Sequence, residues 1–352
     1  MAAEEPVSLR PGAPSWPRAL SKGDLVSVWA PSSAAPAAFP QRFERGVRAL
    51  ELAGFKVRVL PSCRTAIGYS TLGPAELAQE LHSQLKDPEC AGIFAAVGGW
   101  SMLNVLPHID LDLVRESAKP IIGYSDLSAL LNLVAFGAGV VSFHGPMVLS
   151  EWGEAGGPWD FTATSFRKVS GMEGAWSEYK VPAAPDWSDE MLWWDRDDTR
   201  PRAPVDGGEQ LRVVQAGDGT PVEGRLWGGS LVALPLALGT PVWEQPEDVL
   251  IFLEAEGMAP DEFAARIMQL SLSGVFKRAA GLVLGRMGQP RSCLNGFDDF
   301  DQVVRGIVPP GLPVAAGFDI GHTEPMSTLP VGGLARLDCA LEVPTFSLIG
   351  PN

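Results

Sequence analysis

Ser125 lies where a short apolar run meets a helical pattern, a place where a serine hydroxyl can act as a nucleophile. The run ends at Gly123, and the helix-like pattern begins at Asp126. A serine on a tight strand-to-helix turn projects its hydroxyl from the top of a sheet, and the N–H groups of the following helix face an incoming anion. This pattern indicates a serine hydrolase. The second glycine of the usual G-x-S-x-G elbow is Leu127 here, and a simple helix cap fits this short segment equally well.

A nucleophilic serine needs a general base, and the sequence contains four histidines. His82 falls inside a helical pattern and His108 follows a proline in a loop. His144 ends the strand after the elbow helix, and His322 lies on a glycine turn near the carboxyl end. Their spacing does not choose between His144 and His322. Among the carboxylates, Glu254 ends a strongly apolar strand, where burial without a partner is costly, so it is the best candidate to orient a histidine.

The elements around Ser125 alternate between strand and helix patterns. Strands are predicted over 25–30, 55–60, 92–97 and 120–122, with helices over 42–53 and 74–85. This alternation predicts a parallel sheet with helical crossovers. Ligands bind such sheets at the carboxyl ends of the strands, where Ser32-Ser33, Gly98-Gly99 and Ser125 all lie. Their shared position strengthens the hydrolase interpretation.

The pattern divides the chain into a flexible leader (1–22), an N-terminal domain (23–165), a connecting segment (166–208) and a C-terminal domain (209–352). The C-terminal part contains strands over 249–254 and 280–285, a helix over 260–272 and a strand-and-turn end, so it is mixed α/β with more strand. The stretch from about residue 150 to 208 is rich in acids and tryptophans. These tryptophans either form a wall that stacks on a flat ligand or pack against the domain body.

Bulk composition limits the partners and the compartment. The 352 residues suffice for two domains, and the formal net charge of −15 excludes nucleic acid and disfavours an anionic membrane surface. The four cysteines (Cys63, Cys90, Cys293 and Cys339) have no metal-binding spacing and indicate free thiols in a reducing compartment. The N-terminus lacks the apolar core of a signal peptide, and the apolar stretch 127–148 reads as a buried helix followed by a buried strand. A cytoplasmic protein without a metal or other cofactor is predicted.

Taken in order along the chain, the motifs resemble the LD-carboxypeptidase family of serine peptidases, which includes muropeptide LD-carboxypeptidases and microcin C self-immunity peptidases. The resemblance extends from about residue 23 to residue 332. The motifs are APSS (30–33), GG (98–99), LPHID (106–110), IGYSD (122–126), HGPM (144–147), GGSL (228–231), GTP (239–241), FLE (252–254), GH (321–322) and LPVG (329–332).

The resemblance implies a Rossmann-like parallel-sheet N-terminal domain and a smaller β-rich α/β C-terminal domain, often in a homodimer. It also implies a catalytic triad that spans the cleft, with Ser125 as the nucleophile and Glu254 and His322 as its partners. The N–H groups that would form the oxyanion hole are those of Gly98, Gly99 and Asp126.

Substrate identity depends on the walls of the cleft. Two positions depart from the family pattern: Val97 replaces a frequent arginine, and Ser230 stands where many members have asparagine. The residues expected to touch substrate are Trp100, Ser101, His144, Trp187 and Trp193.

The tryptophan- and acid-rich segment favours the microcin-immunity branch, in which an aromatic residue stacks on the nucleobase of a peptidyl or aminoacyl nucleotide. A small substrate of this kind, cleaved at an amide bond, is therefore predicted. Two alternatives remain: release of terminal D-alanine from murein tetrapeptides, and a non-catalytic protein that binds a small ligand in the same cleft.

Overall fold

Two β-sheets with helices packed against them organise the chain in the computed structural model, which describes residues 12–205, 211–243, 245–255, 257–288 and 299–351. The predicted mixed α/β class is confirmed. The strands are β1 (Leu25–Trp29), β2 (Lys56–Val59), β3 (Cys90–Ala95), β4 (Ile121–Gly123), β5 (Ser142–His144), β6 (Glu178–Lys180), β7 (Arg212–Gln215), β8 (Val222–Ser230), β9 (Val249–Glu254), β10 (Ala279–Gly285), β11 (Val314–Phe318), β12 (Leu329–Val331), β13 (Leu334–Asp338) and β14 (Thr345–Ile349). The α-helices are α1 (Ala35–Ala38), α2 (Pro40–Leu52), α3 (Pro74–Lys86), α4 (Met102–Val105), α5 (Leu111–Ser117), α6 (Ser128–Asn132), α7 (Asp160–Val169), α8 (Pro260–Leu272) and α9 (Phe300–Ile307).

The first sheet has the strand order β12-β5-β4-β3-β1-β2. Strands β1 to β5 pair in parallel, and β12 pairs antiparallel with β5 at the edge. Strand β3 is buried along its whole length, as expected of a parallel strand that is covered on both faces. Helices α2 and α3 connect β1 to β2 and β2 to β3, so the predicted alternation of strands and helices is confirmed here.

Strands β1, β3 and β4 are neighbours, and the loops that follow them meet at one edge of the first sheet. A Cβ atom placed on Gly99 would lie 2.1 Å from the carbonyl oxygen of Ser32. A Cβ atom placed on Gly98 would lie 3.0 Å from the Ser125 Oγ. The meeting of these loops at the carboxyl ends of the strands is therefore confirmed.

The second sheet has the strand order β6-β14-β13-β8-β9-β10-β11-β7. Its middle strands β8, β9, β10 and β11 pair in parallel, and antiparallel strands flank them. Strand β9 (VLIFLE) is fully buried, because its apolar side chains are covered on both faces. The strand places the Glu254 carboxylate in the protein interior at its carboxyl end.

The two sheets are held together where β8 approaches α6, the helix that follows Ser125. The Asn132 side-chain amide donates to the carbonyl oxygen of Gly228 at 2.7 Å, and the Ser128 hydroxyl oxygen accepts from the Ser230 N–H at 2.9 Å. Gly229 has a φ of +139° and faces Ser128 without a side chain between them. This close approach fixes α6, the helix after Ser125, against the sheet that carries Glu254.

Part of the predicted flexible leader is packed against the protein body. The Trp16 ring lies 5.6 Å from that of Trp176 in an edge-on contact, Leu20 is buried, and the Ser15 N–H donates to the carbonyl oxygen of Gly139. Burial of these apolar side chains lowers the free energy of the folded chain. This gain exceeds the cost in conformational entropy of ordering so short a segment. The prediction of a flexible leader is wrong for residues 12–22, and residues 1–11 lie outside the described part of the chain.

The sheets also cross the predicted domain limits. Strand β12 belongs to the C-terminal part of the sequence but completes the first sheet, and β6, from the connecting segment, is an edge strand of the second sheet. The division into domains at residues 165 and 208 stays a prediction.

The apolar stretch 127–148 forms a helix followed by a strand, as predicted. A 3₁₀ turn (Ser125–Leu127) leads into α6, and α6 continues as a π-helical segment (Leu133–Ala138) before β5. Within the described residues, no helix has the length and apolar character needed to cross a membrane.

Three of the four cysteines lie in the described part of the chain. Cys63, Cys90 and Cys339 are free and buried, and Cys293 lies outside the described residues.

The contact between Gly229 and Ser128 generates a stability prediction. A Cβ atom on Gly229 would lie 2.3 Å from the Ser128 Oγ, so Gly229→Ala must push α6 away from β8. We expect a loss of about 1–3 kcal/mol in the free energy of unfolding, measured by chemical denaturation. Gly219→Ala is the matched control, because Gly219 also has a positive φ, of +80°, but no atom within 4 Å of the added Cβ. Equal losses in the two variants would show that backbone strain, not the contact with Ser128, requires the glycine.

Candidate active site

Ser125 occupies a strained turn between β4 and α6. Tyr124 is extended, whereas Ser125 has a φ of +61°, in the left-handed region that side chains other than glycine rarely adopt. Holding a serine there costs on the order of 1–3 kcal/mol and requires support from the surrounding structure. The α6–β8 contact gives part of that support. This geometry is that of a nucleophile elbow.

The three polar side chains Ser125, His322 and Glu254 form one hydrogen-bonded row. The Ser125 hydroxyl lies 3.0 Å from His322 Nε2, and His322 Nδ1 lies 2.7 Å from Glu254 Oε2. With its proton on Nδ1, the imidazole donates to the carboxylate and leaves Nε2 free to accept the serine proton. Both distances are those of good hydrogen bonds, so the row is ready for proton transfer.

Burial and charge act in opposite directions on Glu254. The carboxylate is fully buried, which alone would raise its pKa, but the attraction and hydrogen bond of His322 lower the pKa below its usual value. Gly321, with a φ of +93°, lets the loop close over this carboxylate, since a Cβ atom there would lie 2.3 Å from Glu254 Oε2. Glu254 is therefore an ionised group that can stabilise a protonated His322.

Asp126 links the elbow to the glycine loop. Its buried carboxylate accepts a hydrogen bond from the Met102 N–H at 2.9 Å, at the start of α4, and burial raises its pKa. This bond ties the chain after Gly98 and Gly99 to the chain after Ser125. The N–H groups predicted to form an oxyanion hole thus belong to two segments that are held together beside the serine hydroxyl.

Two cavities meet at Ser125 and His322. The first cavity, of about 240 Å³, extends from Ser125 towards the connecting segment. Apart from Ser125, His322, Gly98 and Gly99, it is lined by Arg42, Val97, Tyr124, Met147, Ser150, Glu151, Glu154, Glu190, Met191, Leu192, Trp194 and Arg202. The second cavity, of about 290 Å³, lies on the other side of the serine and is lined by Gly99, Trp100, Ser125, Ser230, Val232, Ala233, Ala255 and His322.

Charged side chains form one part of the wall of the first cavity, and further charged groups lie behind it. The Tyr124 hydroxyl donates to Glu151 at 2.7 Å, and Arg202 bridges Glu154 and Glu324 at 3.1 and 3.2 Å. Burial raises the pKa of Glu324 from 4.5 to about 8, with repulsion from Glu151 and Glu154 adding to the rise and Arg202 opposing it. Arg202 therefore bridges two buried carboxylates while a third, Glu151, lies near them, and this crowding favours the protonated form of Glu324.

The predicted substrate-binding residues fall into two groups. Trp100 lines the second cavity and is 67% exposed, whereas the Ser101 hydroxyl is buried and donates to the carbonyl oxygen of Pro31. His144 is fully buried between Tyr124 and Phe252, and burial lowers its pKa to about 4. His144 and Ser101 therefore support the site from behind its surface and do not line either cavity.

The tryptophan of the connecting segment that lines the cleft is not one of the two that were predicted. Trp187 is 6% exposed and packs on Arg286, while Trp193 is 56% exposed beside Arg196, and neither lines the two cavities at Ser125. Trp194 does line the first cavity, with Arg42 over its ring at 4.9 Å. Because the segment has little regular structure, no periodicity in the sequence could have distinguished adjacent tryptophans.

Comparisons with known proteins identify the family of the chain. Family models described as the LD-carboxypeptidase N-terminal and C-terminal domains match residues 26–145 and 223–337. A putative carboxypeptidase of Vibrio cholerae is 29% identical over 91% of this chain and 94% of its own length. The microcin C7 self-immunity protein MccF of Escherichia coli is 29% identical (91% and 92% covered), and a probable murein peptide carboxypeptidase of Bacillus subtilis is 27% identical (92% of each).

Solved structures resemble the whole fold. A tryptophan-to-phenylalanine mutant of the microcin C7 self-immunity protein MccF, in complex with adenosine monophosphate, superposes with a TM-score of 0.86 at 27% identity, covering 96% of this chain and 98% of that chain. MccF in complex with glutamyl sulfamoyl guanosine has a TM-score of 0.84 at 26% identity, with the same coverage.

The buried carboxylates predict how stability depends on pH. The folded-state pKa of Glu324 lies above its unfolded value, so its contribution to stability is complete below pH 4.5 and is lost as the pH rises to about 8. The buried His144, with a folded pKa of about 4 and an unfolded value of 6.5, changes stability in the opposite direction below about pH 6.5, so the test uses the range above it. We expect the thermal midpoint of the wild type to fall by about 3 °C between roughly pH 6.5 and pH 8. The fall should be smaller in Glu324→Gln, which keeps the shape but does not titrate.

Glu190→Gln is the matched control for this experiment. Glu190 is paired with Arg200, which lowers its pKa to about 2, so it stays ionised over the same range. The thermal midpoint of this control should change with pH as it does in the wild type. If the thermal midpoint of Glu324→Gln fell with pH as steeply as that of the wild type, a group other than Glu324 would be responsible.

Proposed function

Because the chain belongs to the LD-carboxypeptidase family of serine peptidases, we propose that it hydrolyses an amide bond through an acyl-enzyme on Ser125. The observation that carries the proposal is the hydrogen-bonded row, with 3.0 Å from Ser125 Oγ to His322 Nε2 and 2.7 Å from His322 Nδ1 to Glu254. Ser125 is the nucleophile, His322 is the general base, and Glu254 orients the imidazole.

In the first half of the reaction, His322 Nε2 takes the hydroxyl proton as the Ser125 Oγ bonds to the substrate carbonyl carbon. The oxyanion lies against the N–H groups of the Gly98-Gly99 loop and Asp126, and each such donor is worth about 2.7–4 kcal/mol in the transition state. His322 then gives its proton to the leaving nitrogen, and the carbon–nitrogen bond breaks. The ionised Glu254 stabilises the imidazolium while it exists.

In the second half, water takes the place of the leaving group. His322 removes a proton from that water, whose oxygen attacks the acyl carbon, and the Ser125 oxygen leaves and recovers a proton from His322. Every group in this cycle belongs to the row or to the two loops beside it, so the cycle needs no further cofactor.

The substrate that we propose is an aminoacyl or peptidyl nucleotide. Two features support it: the similarity to a self-immunity protein that was solved with adenosine monophosphate and with glutamyl sulfamoyl guanosine, and the presence of Trp194 in the lining of the first cavity. In this proposal Trp194 stacks on the nucleobase, the role predicted from the sequence for an aromatic residue of this segment, where Trp187 and Trp193 were expected to touch the substrate. Tyr124 and Glu151 offer polar contacts for hydroxyl groups of the substrate on the same wall.

A murein peptide is the second candidate, because a murein peptide carboxypeptidase is a relative of similar identity. In that case terminal D-alanine would be the leaving group. Non-catalytic binding is a weaker proposal, since a binding protein has no use for a strained serine aligned with histidine and glutamate. A homodimer and a cytoplasmic location stay predictions from the sequence.

The first test is turnover by Ser125→Ala. The wild type and the variant are each given an aminoacyl-sulfamoyl adenosine and an L,D-linked murein tetrapeptide, and products are read by mass spectrometry. We expect the wild type to cleave the nucleotide conjugate and Ser125→Ala to lose at least about a thousandfold in rate, because the nucleophile is gone. Ser117→Ala, at the end of α5, should behave as the wild type. Undiminished turnover by Ser125→Ala would refute the mechanism, and release of D-alanine alone would favour the murein substrate.

The second test compares two adjacent tryptophans. Trp194→Ala should weaken binding of the nucleotide conjugate about tenfold to a hundredfold, because stacking of a base on an aromatic ring is worth about 1–3 kcal/mol. Trp193→Ala is the matched control, since Trp193 is exposed outside both cavities. The measurement is the KM of each variant for the nucleotide conjugate. An equal effect of the two substitutions, or none, would contradict the stacking role of Trp194.

A further inference from the structure

The second cavity differs in chemistry from the first. Besides Gly99, Ser125 and His322, which it shares with the first cavity, it is lined by Trp100, Ser230, Val232, Ala233 and Ala255, none of which carries a charge. The first cavity, by contrast, is lined by three glutamates and two arginines. A substrate that lies across Ser125 therefore has one part near charged side chains and another part in a cavity with no acidic or arginine side chain among the described residues that line it.

The shared residues determine which part of the substrate enters the second cavity. Both cavities include Gly99, Ser125 and His322, so a carbonyl bonded to the Ser125 Oγ has substituents in each. With the leaving nucleotide against Trp194 in the first cavity, the side chain of the acyl residue extends into the second. The volume of about 290 Å³ is at the lower end of the range for small-molecule pockets.

An anion lies directly beneath the second cavity. Ser230, on its wall, is paired with Glu254 in the β8–β9 ladder, and Ala255 is the next residue along the chain. Glu254 is ionised and paired with His322, and no lysine or arginine is among the lining residues that the structure describes to pair with a second carboxylate. An acidic side chain in this cavity would lose its hydration against apolar walls and would be repelled by Glu254.

We infer that the second cavity binds an uncharged apolar side chain on the acyl part of the substrate and that Val232 is a specificity-determining residue. This inference rests on the proposed function and narrows its substrate class. It separates the chain from the relative that was solved with a glutamyl ligand. Val232 has a partly exposed side chain next to a buried strand end, where a leucine-like group gains contact area.

The test compares leucyl- and glutamyl-sulfamoyl adenosine as substrates. We expect the wild type to prefer the leucyl compound by at least about tenfold in kcat/KM, the size of effect that one hydrophobic subsite gives. A smaller ratio, or a preference for the glutamyl compound, would overturn the inference.

Val232→Lys tests the residue itself. Its ammonium group would pair with the glutamyl carboxylate, so the leucyl-to-glutamyl ratio should fall by about tenfold or more. Leu236→Lys is the matched control: it adds the same charge to a 42% exposed position on the neighbouring 3₁₀ turn, outside the cavity. The control should keep the wild-type ratio. Equal shifts in both lysine variants would mean a long-range charge effect and would overturn the assignment to Val232.

Binding by Ser125→Ala gives a second measurement that needs no lysine variant and no turnover. Calorimetry with the two compounds should give at least about tenfold tighter binding of the leucyl compound. Equal affinities, or binding of neither compound, would overturn the inference. Absence of hydrolysis by the wild type, with the affinity difference present, would instead contradict the proposed amide hydrolysis and leave the apolar subsite supported.

Discussion

The buried contact between Glu254 and His322 is the interaction on which the rest of the site depends. An apolar strand carries a carboxylate into the protein interior, where an unpaired charge would be strongly unfavourable. The loop before β12 meets this requirement by bringing an imidazole within 2.7 Å of the carboxylate. The opposite ring nitrogen lies 3.0 Å from the Ser125 hydroxyl, so the imidazole that pairs with the buried charge also contacts the serine.

That arrangement works only if the two sheets keep a fixed distance. Ser125 belongs to the first sheet and Glu254 to the second, and the hydrogen bonds between α6 and β8 join the two. Gly229 allows this approach because it carries no side chain between the helix and the strand. The strained backbone at Ser125 is stable for the same reason: packing on both sides leaves the serine no relaxed alternative.

Charge is distributed unevenly around the nucleophile. One side of Ser125 has buried glutamates and arginines in ion pairs, with a tryptophan ring at the end of the cavity. The other side has small apolar side chains above a carboxylate that is already paired. Such a division orients a substrate whose two halves differ in polarity, since each half loses least hydration on its own side. In the function that we propose, the charge of the cavity walls orients the substrate, and the row of three side chains cleaves the bond.

The sequence by itself determined the local features: the alternation of strands and helices, the serine at the end of β4 and the acid at the end of β9. These follow from nearest-neighbour patterns and from motifs whose order resembles one family. It did not choose by spacing between His144 and His322, and it misjudged which tryptophan reaches the cleft and how residues 12–22 pack. Only the tertiary structure decided these points. Ser125 and His322 are 197 residues apart, and their contact arises from the packing of two sheets, which no local pattern encodes.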